Sequence, residues 1–225
     1  MNLRAFHRAA GAVIVVQAVL GVWGLVQVGP SATVPIHWDA AGRPNGYGPA
    51  WLAFLLTPAI TLALVGLFEV IPRIEPRRAN LLRSSRAYIT IAYAMLALML
   101  GVTVATDLAG VGYTVPITPL VGAGVGLLFA VLGNVLTTLR SNFMVGVRTP
   151  WTLTSDLAWD KTHRLIGRLW VVGGLVTFLV SLAGQPEILV AILLAFVIGT
   201  LAVAFVYSYL VWRGDPDKHS IGGGA

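Results

Sequence analysis

The chain contains no cysteine, so disulfide bridges and thiolate metal or redox sites are excluded in any compartment. Charge is also scarce. Charged side chains make up 11% of the 225 residues, against about 25% in an average soluble domain. Catalytic signatures are missing as well. There is no G-x-S-x-G, no H-E-x-x-H and no phosphate-binding G-x-x-x-x-G-K-[ST]. Neither a catalytic residue nor a cofactor is expected on these grounds. A metal is not expected either, because His37 and Asp39 supply only two neighbouring ligands.

What is present is apolar length. Hydrophobic residues make up 57% of the chain and the mean hydropathy is +0.83, which excludes a soluble globule, a disordered chain and a coiled coil. Six apolar runs cover Ala9 to Val28, Trp51 to Ile71, Ala87 to Leu108, Ile117 to Leu139, Leu165 to Ala183 and Ile188 to Trp212. Each is near the ~20 residues that cross ~30 Å of hydrocarbon. The first follows Arg4 and Arg8 as a signal peptide would, but its apolar stretch is too long for an h-region and reads as an uncleaved span. With the N-terminus inside, every one of the 15 Lys and Arg residues except Arg43 falls on the inner side. The expected fold is therefore an all-α polytopic membrane protein with six transmembrane helices and both termini cytoplasmic. The net charge of +6 and pI near 10.2 then reflect topology and contact with the lipid bilayer, and need no direct nucleic-acid partner. Arginine prevails over lysine, and Ala, Val and Gly abound, as in a GC-rich bacterial genome.

Two long connections remain. The outside one joins spans 1 and 2. Thr33 to Trp38 is predicted to be extended, because the residue before Pro35 is pushed to β or polyproline geometry. Gly42 and Asn45-Gly46 are turn signals, and Pro49 suits the start of the second span. The loop would present His37, Trp38, Asp39, Arg43 and Tyr47 at the headgroup level, either as a ligand-binding surface or as interfacial anchoring with Trp51.

The inside connection runs from Arg140 to Arg164. Pro150 is expected to break any helix and Gly146 to permit a tight turn. Thr154 or Ser155 is a suitable N-cap, with Asp156 favourable in the first turn of a helix that continues into span 5. On it, Trp159 and His163 share a face, Trp170 lies further along that face, and Asp160 and Arg164 form a second i,i+4 pair. The region reads either as an interfacial elbow or as a polar cluster at the inner mouth, built from Arg148, Asp156, Asp160, His163 and Arg164, with Asn134 approaching from span 4.

Pro35-x-His37 with Gly42-x-Pro44-x-x-Tyr47 resembles the loop motif of a bacterial membrane domain of unknown function. Gly133-Asn134, Asn142-Phe143, the tract Gly146 to Leu153 with Arg148 and Trp151, then Trp159, His163-Arg164 and Gly167 resemble the signature of the SdpI family. The two matches cover residues 30 to 168. The resemblance implies a bacterial plasma-membrane protein of the immunity and signalling type, with a peptide toxin as outside partner and a repressor protein as cytoplasmic partner. It divides the chain into an N-terminal two-span unit at 1–76, a four-span unit at 77–213 and a mobile tail at 214–225.

Within the spans, Gly122, Gly126 and Ala130 form a small-residue packing face that Asn134 continues. Gln17 is the deepest polar residue of span 1, and Pro58 is placed to kink span 2. Glu69 and Asp107 are expected to reach headgroups or water. Three functions compete. One is an immunity-type receptor for a peptide toxin or envelope ligand at the outer loop. Another is a transporter or channel gated inside by Asn134, Arg148 and His163. The third is a membrane-interface enzyme using His163 with Asp156 or Asp160.

Overall fold

A computed structural model describes residues 4–218. In chain order it contains α1 (Arg4–Val28), β1 (Thr33–Trp38), β2 (Pro44–Pro49), α2 (Ala50–Ile74), α3 (Arg78–Arg83), α4 (Ser85–Gly110), α5 (Ile117–Leu136), α6 (Pro150–Leu153), α7 (Asp156–Leu182) and α8 (Pro186–Arg213). Six of these helices are long and apolar enough to cross a membrane, as the composition requires. Their outer faces are apolar: Val26, Leu179 and Ile198 are exposed. Polar side chains such as Gln17, Thr61, Thr103, Thr177 and Ser181 are buried between helices. That distribution suits a hydrocarbon solvent, in which packing and internal hydrogen bonds hold helices together.

The long helices form two groups. α1, α2 and α4 pack on one another, and so do α5, α7 and α8, with α4 meeting α5 at the seam. In the first group Phe6, Ala10, Ala92 and Leu96 form a core near one end. Tyr88 donates its hydroxyl proton to the Phe68 carbonyl at 2.7 Å. Connectivity puts the β1–β2 hairpin and the α4–α5 and α7–α8 turns at one end, called the hairpin end. The opposite, basic end holds α3, α6 and the long 137–155 connection.

The second group is drawn together by glycine. A Cβ on Gly126 would lie 2.7 Å from the Gly174 carbonyl oxygen, and one on Gly133 would lie 2.5 Å from that of Gly167. These pairs recur a heptad apart on antiparallel α5 and α7, the repeat that keeps one face on a neighbouring helix. Here the structure corrects the expectation for Asn134. Steps of four overshoot a full turn, so three of them from Gly122 carry Asn134 about 120° around α5. Asn134 is exposed, and Gly133 takes the packing position.

Other expected boundaries shift for local reasons. The Pro150 ring opens a helix instead of breaking one: it occupies the first turn of α6, where its missing N–H costs nothing. The fifth long helix begins at Asp156, capped by Ser155, whose Oγ accepts from the Ala158 N–H at 2.9 Å. The fourth ends at Leu136 rather than Leu139. In the tail from Gly214 onward, Asp215 bonds Ser155, and Lys218 Nζ donates to the Arg213 carbonyl at 2.8 Å. Residues 219–225 lie outside the described residues.

The glycine seam predicts that Gly174→Val destabilises the chain by about 1–3 kcal/mol through overpacking. Gly199, with nothing within 4 Å of a Cβ, is the control: Gly199→Val leaves the melting temperature in detergent or nanodiscs unchanged.

Candidate functional site

At the hairpin end, β1 and β2 pair antiparallel, with Pro35 opposite Tyr47, His37 opposite Gly46 and Trp38 opposite Pro44. The turn is Asp39 to Arg43, with Gly42 at φ +78°. Asp39 closes it: its Oδ1 accepts from the Arg43 N–H at 2.9 Å and its Oδ2 from Arg43 Nε at 3.0 Å. The Arg43 backbone N–H, helped by the guanidinium, holds the Asp39 carboxyl below its ordinary value of 3.8. Asn45-Gly46 is not a turn, as expected, but lies within β2. Gly46 is needed there because a Cβ would lie 2.9 Å from that of His37.

Alternation then sorts the side chains. Val34 points inward and joins Ala50 and Phe54 in a core over the bundle. Pro35 and Tyr47 stand opposite each other across the strands, and the register slips on either side of His37. His37 is exposed and donates from Nδ1 to Asn45 Oδ1 at 2.5 Å. Tyr47 is 59% exposed. Trp38 is half-buried and Arg43 exposed. The tip reaches the second helix group, where Thr118 Oγ1 on α5 donates to the Asp39 carbonyl at a long 3.5 Å.

At the basic end the signature residues turn inward. His163 is buried and stacks on buried Trp159, ring centroids 4.0 Å apart. Its Nδ1 donates to the Trp159 carbonyl at 2.8 Å and its Nε2 accepts from the Val147 N–H at 3.0 Å, so the two partners fix a neutral tautomer. Gly146, at φ +121°, passes so close that a Cβ would lie 2.5 Å from His163 Nε2. Trp159 Nε1 donates to the Leu139 carbonyl at 2.7 Å. Asn142 satisfies its whole amide: it donates to the Arg140 and Val145 carbonyls and accepts from the Met144 and Val145 N–H groups. Trp151 packs edge-on to Phe205 of α8 at 4.6 Å. Arg148 is exposed and donates to the Phe143 carbonyl at 2.9 Å.

The polar inner mouth expected from these residues does not form. Asn134 faces away, His163 is sealed, and Asp156, Asp160 and Arg164 are exposed. The Asp160–Arg164 ion pair is not made. His163 is closed to water beside Trp159 and has both ring nitrogens engaged, so the acid–base role expected of this residue is not open to it.

Several residues that hold the loop went unread in the sequence. Buried Glu75 accepts from the Phe143 N–H at 3.1 Å and the Arg77 N–H at 2.8 Å. Arg77 donates to Ser141 and to the Leu153 carbonyl, and its guanidinium lies over Phe143 at 4.7 Å. Thr149 and Thr152 make a capping box, and Thr149 Oγ1 donates to Ser208 of α8 at 2.9 Å. The Arg73-to-Arg86 run was legible as a topology signal, and that signal hid its pairing role. Glu69, towards the basic end of α2, pairs with His7 and Arg73. Asp107 differs from expectation: it is buried at 1% exposure instead of reaching water.

Six spanning helices and these two loops define a multi-pass bacterial membrane protein. A model of the SdpI/YfhL protein family matches residues 138–210, from the end of α5 nearly to the end of α8. A domain of unknown function, DUF1648, matches residues 12–62, which hold most of α1, the hairpin and the first half of α2. The immunity protein SdpI of Bacillus subtilis (strain 168) is 30% identical over 183 residues, or 79% of this chain and 84% of that protein. The chain belongs to the SdpI family. No solved structure matches it significantly.

Two outcomes follow. His163→Ala strands the Val147 N–H and opens a cavity beside Trp159. It should cost about 2–4 kcal/mol and expose the 140–155 loop to protease, while exposed Arg164→Ala changes stability by about 0.5 kcal/mol or less. Asp39, whose value is lowered in the closed turn, contributes above its unfolded value of about 3.9 and loses that contribution as pH falls through the folded value. Trp38 fluorescence should therefore hold steady from neutral pH down to about pH 4 and change below it. Asp39→Asn should show the acid signal at neutral pH.

Proposed function

We infer that the chain is an immunity-type membrane protein that recognises a peptide toxin or another envelope ligand through the outward face of its hairpin. The carrying observation is a contrast between the two motifs. In the basic-end motif Asn142, Trp159 and His163 are all buried and spent on holding its own loop, while its arginines Arg148 and Arg164 are exposed. The hairpin motif instead leaves His37 and Tyr47 exposed on a hairpin that Val34 anchors against Ala50 and Phe54. Exposed aromatic and polar groups on a rigid support suit recognition.

The charge pattern supports an outside hairpin, since Arg43 alone among the Lys and Arg residues lies at that end. Exposed Arg148, Lys161, Arg164 and Arg168 suit anionic headgroups at the inner leaflet, and a cytoplasmic repressor would meet the same face. The immunity relative supports the class of function.

The test is protection. A Bacillus subtilis strain lacking the immunity protein SdpI and expressing this chain is challenged with the peptide toxin to which that strain is sensitive. His37→Ala with Tyr47→Ala should abolish protection at unchanged membrane abundance, and Arg164→Ala should protect like the parent. Protection by the double variant equal to that of the parent sinks the hairpin assignment.

A further inference from the structure

The interior of the first helix group holds a second polar centre. Gln17 of α1 is fully buried. Its Nε2 donates to Thr61 Oγ1 of α2 at 3.0 Å and to Thr103 Oγ1 of α4 at 2.8 Å. Those hydroxyls pass their own protons to the Thr57 carbonyl at 2.9 Å and the Met99 carbonyl at 2.8 Å. Every proton in this layer is thus committed, and Gln17 Oε1 is left buried without a donor.

One helical turn towards the hairpin, the same faces carry Thr57 and Asp107. α2 runs away from the hairpin and α4 towards it, so i−4 from Thr61 and i+4 from Thr103 bring both to one level, about 5–6 Å from the Gln17 layer. Neither Asp107 carboxylate oxygen has a hydrogen-bond partner, and neither has Thr57 Oγ1.

Phe54 closes the hairpin side. Pro58 has no N–H to offer the Phe54 carbonyl. Gly21 of α1 approaches that oxygen so closely that a Cβ would lie 2.9 Å away. The Phe54 ring fills the space between Gly24 and Gly110, where a Cβ would lie 2.8 Å or 2.9 Å from ring carbons. Val34 of the hairpin covers it.

Among the described residues of the three helices, no counter-charge lies near Asp107. α1 has no ionisable residue after Arg8, α2 has none before Glu69, and α4 has none between Tyr93 and Asp107. His37 is exposed and bonded to Asn45, and Asp39 is engaged with Arg43 at the hairpin tip. An isolated carboxylate buried among apolar helices costs several kcal/mol. One carboxylate among neutral oxygens carries a single negative charge, which one monovalent cation balances.

We propose that Asp107, with Thr57 and Gln17, forms a binding site for a small monovalent cation, sodium or a proton, within the α1–α2–α4 bundle and closed on its hairpin side by Phe54. Occupancy neutralises Asp107, and seating of the hairpin closes the site. The proposal stands apart from toxin recognition, since it concerns an ion and no hairpin side chain that faces outward.

The full chain in nanodiscs tests it. Its melting temperature is measured against sodium chloride, with choline chloride holding ionic strength constant, at alkaline and at acid pH. A ligand that binds only the folded state raises that temperature saturably. A rise with sodium at alkaline pH identifies sodium. A rise on acidification that is indifferent to sodium, with an infrared band of a protonated carboxyl, identifies the proton. Asp107→Asn should abolish whichever response the parent shows, and Thr57→Val should move its midpoint to higher cation concentration. A parent indifferent to both cations, or an unchanged response in Asp107→Asn, overturns the proposal. The titration of the parent decides even if a variant does not fold.

Discussion

Hydrocarbon offers no hydrogen-bond partner, and that constraint organises this chain. Every polar group taken into the bundle or the 137–155 connection must find its partner inside the protein. The connection meets the demand with side chains. Asn142 saturates its amide on its own turn, His163 spends both ring nitrogens on backbone, and Glu75 accepts two amides from different segments. The irregular backbone there is held because these side chains pair its amides and carbonyls. The same demand makes Asp107 stand out, since its two oxygens are the carboxylate atoms that the fold buries and leaves without a donor.

Glycine sets how near the helices come. Without hydrophobic drive between helices in lipid, affinity rests on close backbone approach. The Gly126–Gly174 and Gly133–Gly167 pairs provide it for α5 and α7, while Gly21, Gly24 and Gly110 make room for Phe54 in the first group. The two groups therefore differ in kind. One is a tight glycine seam, and the other is a bundle around a polar interior plugged by an aromatic ring.

The apolar runs made the six helices legible in the sequence, and Thr33 to Trp38 was readable as extended from Pro35. The hairpin's turn was harder, because Asn45-Gly46 is a strong turn signal in isolation. It was overridden by the Asp39–Arg43 closure, which needs the carboxylate and the guanidinium to meet in space. Trp159 and His163 were readable as one helix face, but their role depends on Val147 and Gly146 arriving from a separate segment. The Glu75–Phe143 and Arg77–Ser141 contacts join residues far apart in sequence, which no periodicity reports. Asp107 was misread because its position near a helix end suggested access to water, whereas the hairpin and Phe54 cover that end.

The two helix groups are braced at both ends, and this limits how the protein could signal. At the hairpin end the Asp39 carbonyl meets Thr118 of α5. At the basic end Arg77 and Asn80 hold Ser141, and Ser84 Oγ accepts from the Arg140 N–H at 2.9 Å. Tilting one group against the other must strain both sets of contacts, and the long 3.5 Å bond at the hairpin is the weaker. A ligand shifts such an equilibrium only by its differential affinity for the two arrangements. A toxin that grips the outward face of the hairpin without moving its tip would be sequestered and leave the basic end unchanged. One that displaces the tip from Thr118 would also release the restraint between the groups. On the proposed reading, protection and signalling would be separable outcomes of one binding surface, divided by whether the bound hairpin keeps its contact with α5.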